Sequence, residues 1–341
     1  MEYIIVGGGY AGMFFAHQLI KGGHSFKLFN GPRGSASKVS AGIVNPVVLK
    51  KFTTFDKAKE QIDSLEKTLK EIESYTGEYY GVKEPIHRIF HDRKEQELWL
   101  KKSEDEVLKD FLDPSIEPLS GVVNPEGSGR VLLSSRLDVA KFFQGMEKYL
   151  REKGHLIEES FDYFALDPEE KRYQNYSYNH LVFAEGMGVS FNPFFKNIEV
   201  NPNKGHHLTV RLSEPLEGCQ TLKKKHFLFP LGEGDYYYGG TYDRESTEEG
   251  VDLEQRDKLT EGLSEFYKKD FQVQEVKYGF RPTVKDRRPI IGRHPVFGSL
   301  YVFNGLGARG ILNGNFYAKA LYEHISQGYA LSAEVEINRF S

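Results

Sequence analysis

The opening apolar run, Tyr3-Ile4-Ile5-Val6, is short and unbroken and stops at glycine, which predicts a strand buried on both faces. A helical pattern follows over about Ala11–Ile20, then the turn Lys21-Gly22-Gly23 and a second strand, Ser25–Phe29. Residues 31–46 are rich in glycine and serine and read as a loop with a helical turn. From about 55 to 112 the chain is charged and helical in pattern. Ile62, Leu65, Leu69 and Ile72 recur at spacings of three and four, so one face of a helix docks on a core. Residues 113–130, with their Pro, Gly and Ser, read as connection.

A helix is predicted over about Leu137–Lys153, closed by Gly154, and short strands alternate with turns to about 185, Leu181–Ala184 among them. Residues 205–242 read as paired strands, with Phe227–Phe229 and Tyr236–Tyr238 as their cores and Gly232-Glu233-Gly234-Asp235 as the turn between them. Leu253–Lys269 is predicted helical. The chain closes on a strand, Leu300–Phe303, a glycine-rich turn and a helix over about Ile311–Gln327. No internal repeat is present.

The first thirty residues make half of a mononucleotide-binding unit, which needs further parallel strands. The candidates lie near 155–185 and 300–303, so the intervening chain forms an inserted domain. The fold class expected is therefore α/β: a Rossmann-type domain from residues 1–50, 131–200 and 277–341. An inserted α+β domain with an antiparallel sheet would come from 51–130 and 201–276.

Gly7-Gly8-Gly9-Tyr10-Ala11-Gly12 matches the G-x-G-x-x-G fingerprint between strand and helix. Gly7 permits the tight turn, Gly9 lets the backbone approach a pyrophosphate, and Gly12 lets helix and strand pack closely. Tyr10 and Ala11 then lie at the helix N-terminus, where free N–H groups and the helix dipole favour negative charge. An acidic residue usually closes the second strand and binds a ribose; here Asn30 holds that place. Near the C-terminus a second strand, glycine loop and helix (Gly305, Gly307, Ala308, Arg309, Gly310, Ile311) direct another helix N-terminus toward a site.

Composition narrows the class. With 39% hydrophobic and 28% charged residues, the 341-residue chain reads as an ordinary globular protein. A net charge of −4 argues against nucleic acid as the main partner. Cys219 is the single cysteine, which removes a disulfide framework, a cysteine metal cluster and a redox cysteine pair. Tyr3–Val6 is too short for a signal-peptide core, no stretch approaches a membrane span of roughly 18 apolar residues, and a cytoplasmic location is expected. His206 and His207 are adjacent and point to opposite faces of a strand, His226 and His294 are isolated, and no metal site is expected. Lys223-Lys224-Lys225 reads as a solvated hairpin edge.

In four segments the chain resembles the FAD-dependent D-amino-acid oxidase superfamily, in particular its glycine oxidase-like and sarcosine oxidase-like branch. The first is the glycine fingerprint. The second, Ser37-Lys38-Val39-Ser40-Ala41-Gly42-Ile43-Val44-Asn45-Pro46, is similar to the loop that lies along the flavin. The third, Leu181-Val182-Phe183-Ala184-Glu185-Gly186, is similar to the strand and turn that return to the cofactor. The fourth runs from Gly279-Phe280-Arg281-Pro282-Thr283 through Asp286, Pro289 and Ile291-Gly292 to Asn304-Gly305-Leu306-Gly307-Ala308-Arg309-Gly310. The resemblance implies FAD as cofactor, with Ser40, Ala41, Gly42, Ala184 and Gly186 joining the two glycine loops around it. Cys219 lies away from all four segments, so the FAD is expected to be non-covalent.

The resemblance also places Arg281 and Arg309 in the active site, Arg281 as a carboxylate clamp whose planar fork suits two parallel charge-assisted bonds. It implies oxidation of a small amine or amino acid, with hydride transfer to flavin N5 and hydrolysis of the resulting imine; oxygen or another carrier takes the electrons. Relatives often carry a tyrosine before the Pro in the strand resembling His226–Pro230. Phe227 stands there instead, leaving Tyr242 or one of Tyr236–Tyr238 as substitutes. Three other readings exist. Ser40–Val48 with Lys50-Lys51 also resembles an oxidase domain acting on a modified wobble uridine of transfer RNA. A pyridine-nucleotide-linked flavin reductase would need a second fingerprint and a cysteine pair, both absent. A flavoprotein without turnover is the third.

Overall fold

In the computed structural model, Tyr3–Val6 lies inside a six-stranded sheet. Its order is Leu156–Ile157, Phe26–Phe29, Tyr3–Val6, His180–Phe183, Leu300–Asn304, Ile290–Arg293. Residues 1–32, 34–218 and 220–340 are described. The first five strands run parallel and the last is antiparallel. Both expected regions, near 155–185 and near 300–303, thus supply parallel strands.

Alternation explains why these runs are apolar throughout. Tyr3, Ile5, Val182, Ala184, Tyr301 and Phe303 enter one core with helices α1 (Tyr10–Gly22), α2 (Ala58–Thr76), α4 (Val139–Glu152) and α6 (Gly310–Gln327). Ile4, Val6, Leu181, Phe183, Leu300 and Val302 enter a second core on the opposite face, closed by Tyr173, Tyr178, Val189 and Phe195. With both faces covered, every position in such a strand is buried. Each such side chain contributes about 1.5–3 kcal/mol of transfer free energy.

The second sheet has eight strands, ordered Phe271–Thr283, Asn201–Leu212, Asp235–Gly239, Phe227–Gly232, Thr221–Lys223, Ile86–Ile89, Ser128–Val131, Leu112–Glu117. All neighbours are antiparallel except Thr221–Lys223 beside Ile86–Ile89. One face packs Leu208, Leu228 and Tyr238 against Leu259 and Leu263 of α5 (Leu253–Ser264). The hairpin predicted around Gly232–Asp235 is present.

Three expectations need correction. The region 55–112 is not continuously helical: Gly81–Val82 and Ile86–Ile89 are strands between α2 and α3 (Arg93–Ser103). Residues 113–130 are not merely connection, since Leu112–Glu117 and Ser128–Val131 form the far edge of the large sheet. Trp99 of α3, fully buried, holds that edge by donating Nε1–H to the Asp113 carbonyl at 2.8 Å, a tertiary contact that local pattern does not reveal. The helix expected to reach Lys269 stops at Ser264. The long strand Phe271–Thr283 forms the near edge of the large sheet. No helix among the described residues is long and apolar enough to cross a membrane.

Candidate functional site

Asp92, Asp138 and Asp252 cap α3, α4 and α5 by accepting backbone N–H bonds. α2 lacks a side-chain cap but carries Glu60 in its first turn. Among the described α-helices, α1 and α6 alone lack both a cap from their own N-cap side chain and a first-turn acid. These two helices pack together, and a β-carbon on Gly310 would stand 3.1 Å from Tyr10 Cδ2, so their N-termini adjoin. The Tyr10 N–H of α1 is accepted by Ser37 Oγ; the remaining first-turn donors of these two adjoining, largely buried helix starts fit an anionic ligand.

The glycine fingerprint is built for close approach. Gly7 has φ +106°, and a β-carbon there would meet the Ala184 carbonyl at 2.4 Å; one on Gly12 would lie 1.9 Å from the Gly7 carbonyl. Ser37 Oγ accepts the Tyr10 N–H at 3.2 Å, and the Tyr10 hydroxyl and Ser40 Oγ share a 2.8 Å bond. The second segment is thereby tied to the first. Gly42 exchanges a backbone bond with Leu137, whose N–H donates to it at 2.7 Å. Asn304 joins the third and fourth segments: Nδ2 donates to the Gly186 carbonyl at 2.8 Å and Oδ1 accepts the Gly305 N–H at 2.7 Å. The Arg281 strand closes the ring. A β-carbon on Gly279 would lie 2.7 Å from Val39, and one on Gly186 would have Pro282 Cγ as its nearest atom at 3.9 Å. All four segments converge, and the uncapped helix starts lie among them. Gly7, Gly12, Tyr10, Ser40, Gly42, Ala184, Gly186, Gly305 and Gly310 are so brought together; Gly9, Ala11, Ala41, Gly307, Ala308 and Ile311 lie on the same loops and helix starts.

Asn30 is already engaged. Its Oδ1 accepts the Gly8 N–H at 3.2 Å and its Nδ2 donates to Glu147 Oε1 at 3.4 Å. Glu147 belongs to α4 and also meets Lys38 Nζ at 2.6 Å. A carboxylate therefore stands beside the end of the second strand, supplied by another helix.

Arg281 extends over Gly205, where a β-carbon would be 2.4 Å from its Nη1. Nη1 donates to the Thr241 carbonyl at 3.0 Å and to Asn203 Oδ1 at 3.4 Å, and the guanidinium lies 4.4 Å from the centre of the exposed Tyr242 ring. Nη2 has no protein acceptor among the described residues. Arg309, at the start of α6, stands 4.2 Å over the Phe55 ring, and burial lowers its pKa with Arg287 and Arg288 nearby. It makes no hydrogen bond to a described residue.

The face of the large sheet opposite α5 carries a row of rings. His207 stacks on Tyr237 at 4.4 Å, and Tyr237 on Phe229 at 4.6 Å and 7°. Arg136 then covers Phe229 at 4.4 Å. Burial, with Lys277 and Arg281 nearby, lowers the His207 pKa to about 3, so its ring is neutral. Burial pushes the Tyr237 phenol up, with Arg281 opposing. Strand alternation puts Tyr237 here and Tyr236 and Tyr238 in the α5 core, while Tyr242 lies at the exposed rim. His206 points away and accepts the Asp252 N–H at 3.0 Å.

Sequence reasoning missed His207, Arg136 and Glu147 as site neighbours, named Tyr237 only as one of Tyr236–Tyr238, and quoted Asn304 only within the fourth segment. Alternation within Tyr236-Tyr237-Tyr238 would have singled out Tyr237; no local signal marks Arg136 or Glu147. Lys223 is half-buried: it donates to the Lys225 carbonyl at 2.7 Å, lies 4.4 Å from the Phe227 ring, and burial beside Arg88 lowers its pKa to about 7. Cys219 lies outside the described residues.

The sequence profile of one family, described as DAO, FAD dependent oxidoreductase, matches residues 2–324. Among solved structures, iminodiacetate oxidase from Chelativorans sp. BNC1 is similar at 18% identity with a TM-score of 0.80, over 100% of this chain and 98% of that one. Glycine oxidase from Bacillus cereus ATCC 14579 aligns at 19% identity and 0.76, over 96% of each chain. L-proline dehydrogenase from P. horikoshii aligns at 16% and 0.76, over 96% and 94%.

Proposed function

The chain belongs to the FAD-dependent oxidoreductase family, and from that premise we propose that it oxidises a C–N bond of a small amine or amino acid whose carboxylate is held by Arg281. The observation that carries the reading is the half-buried Arg281 guanidinium, fixed through Nη1 on Thr241 and Asn203 with Nη2 left over. Glycine oxidase, iminodiacetate oxidase and proline dehydrogenase, which share the fold, are named for substrates that carry a carboxylate, and this supports the choice.

The residues fit the cofactor. Gly7, Gly9, Tyr10, Ala11 and Gly12 would receive the pyrophosphate, with Asn30 and Glu147 at the ribose. Ser40, Ala41, Gly42, Ala184 and Gly186 would line the flavin, and the N–H groups of Gly305–Ile311 would face its electron-rich edge. When bound, non-covalently in this reading, FAD supplies a two-electron acceptor. The protein's own part is to bind and orient. Arg281 holds the carboxylate, the Tyr237 hydroxyl offers a hydrogen bond in place of the tyrosine that Phe227 lacks, and Arg309 adds positive charge opposite. A substrate amine that arrives deprotonated requires no acid–base residue, and none is nominated. Residues 1–50, 131–200 and 277–341 hold the cofactor in this division, and 51–130 with 201–276 cover the substrate.

Arg281→Met tests the assignment. Losing a charge-assisted pair with a carboxylate costs about 2–3 kcal/mol, so KM for a reactive amino acid rises roughly 30- to 150-fold. The corresponding amine without a carboxylate should be unaffected. Equal loss for both would assign Arg281 a structural role only.

A further inference from the structure

The Arg136–Glu84 pair is poorly closed for a buried structural ion pair. Both side chains are about nine-tenths buried, at 10% and 9% exposure. Burying two charges is favourable only with close and complete hydrogen bonding. Here Nη2 alone makes the contacts, at 3.4 Å to each Glu84 oxygen and 3.3 Å to the Pro230 carbonyl. Nε is buried with no hydrogen-bond partner among the described residues. Glu84 Oε2 also accepts from Thr221 Oγ1 at 3.2 Å. A guanidinium and carboxylate placed for each other alone close to about 2.7–2.9 Å.

Its place is equally telling. Arg136 caps the row His207–Tyr237–Phe229 at the end away from Arg281's neighbour His207. Its strand, Ser135–Leu137, pairs with Ile43–Val44, which leaves the flavin-type loop, so Arg136 stands where the two halves of the site meet.

We infer that Arg136 is a second anion anchor: the occupant carries an acidic group at its far end as well as the carboxylate on Arg281, as an amino dicarboxylate does. The inference rests on the Arg281 reading above. Tyr237 and Phe229, at 6% and 2% exposure, lie between the two guanidiniums, a gap on the order of 10 Å at ordinary strand spacing, and the connecting carbons would run along these two rings. Glu84 steadies the guanidinium on Phe229 and offsets its charge when no acid is present.

Unreactive acids test this without turnover. The FAD-loaded protein is titrated with acetate and propionate, then with malonate, succinate, glutarate and adipate, following the visible flavin spectrum. At least one diacid should bind tenfold or more tighter than the monoacids. Arg136→Met should bring that diacid to the monoacid level and leave monoacid binding and FAD affinity unchanged. Glu84→Gln, which removes the competing carboxylate, should tighten the diacid further. Equal binding of mono- and diacids by the wild type, or equal weakening of both by Arg136→Met, overturns the inference and leaves Arg281 standing. If no acid of either kind perturbs the flavin, the Arg281 reading fails and this one fails with it.

Discussion

Under the proposed cofactor site, Asn30 and its surroundings would share the work at the ribose. An amide at the end of the second strand cannot supply the negative charge that an acidic residue brings to a ribose, and here its carbonyl is already bonded to Gly8. Glu147 restores a carboxylate from α4, oriented by Asn30 Nδ2 and by Lys38. A charge-assisted bond to a ribose hydroxyl is worth about 1.5 kcal/mol, so Glu147→Gln should raise the Kd for FAD roughly tenfold. Fluorescence titration of the apoprotein checks it; an unchanged Kd would leave Glu147 as a surface partner of Lys38. Glu147 was not legible in the sequence, because only tertiary packing brings α4 beside the second strand. Asn30 was legible, because its distance from the fingerprint fixes its place.

The elements divide in the same way. Those whose signal is local were read directly: the first strand, α1, the 227–239 hairpin and the closing helix. The strands at 86–89, 112–117 and 128–131 were not, since they are short and half-polar and owe their state to neighbours such as Trp99 and Thr221. The glycine patterns pointed the N-termini of α1 and α6 at a site, and the resemblance added the second and third segments; neither helix has a cap from its own N-cap side chain. The place of α1 depends on Gly12. In Gly12→Ala the new methyl, 1.9 Å from the Gly7 carbonyl, forces α1 off the first strand. The expected results are a loss of about 1–3 kcal/mol in stability and failure to retain FAD on purification. A variant that stays yellow with unchanged Tm would show that the turn can relax and that close packing there is not needed.

At the scale of the whole molecule, two sheets share one site. The six-stranded sheet presents helix starts and glycine turns, suited to a large anionic cofactor. The eight-stranded sheet presents Arg281, Tyr237, Phe229 and His207 on the face that α5 leaves uncovered, suited to a small carboxylate-bearing molecule. Gly279 against Val39, and Pro282 Cγ 3.9 Å from where a β-carbon on Gly186 would stand, bring the two parts together. The account's central claim is that a flavin held by the first part is reduced by an amine or amino acid held by the second. Anaerobic titration of the purified yellow protein with amino acids, N-methyl amino acids, amino dicarboxylates and simple amines tests it most directly. Bleaching of the visible flavin band by a carboxylate-bearing amine, and none by its carboxylate-free analogue at the same concentration, is the result predicted. A flavin that chemical reductants bleach and no amine does would contradict it.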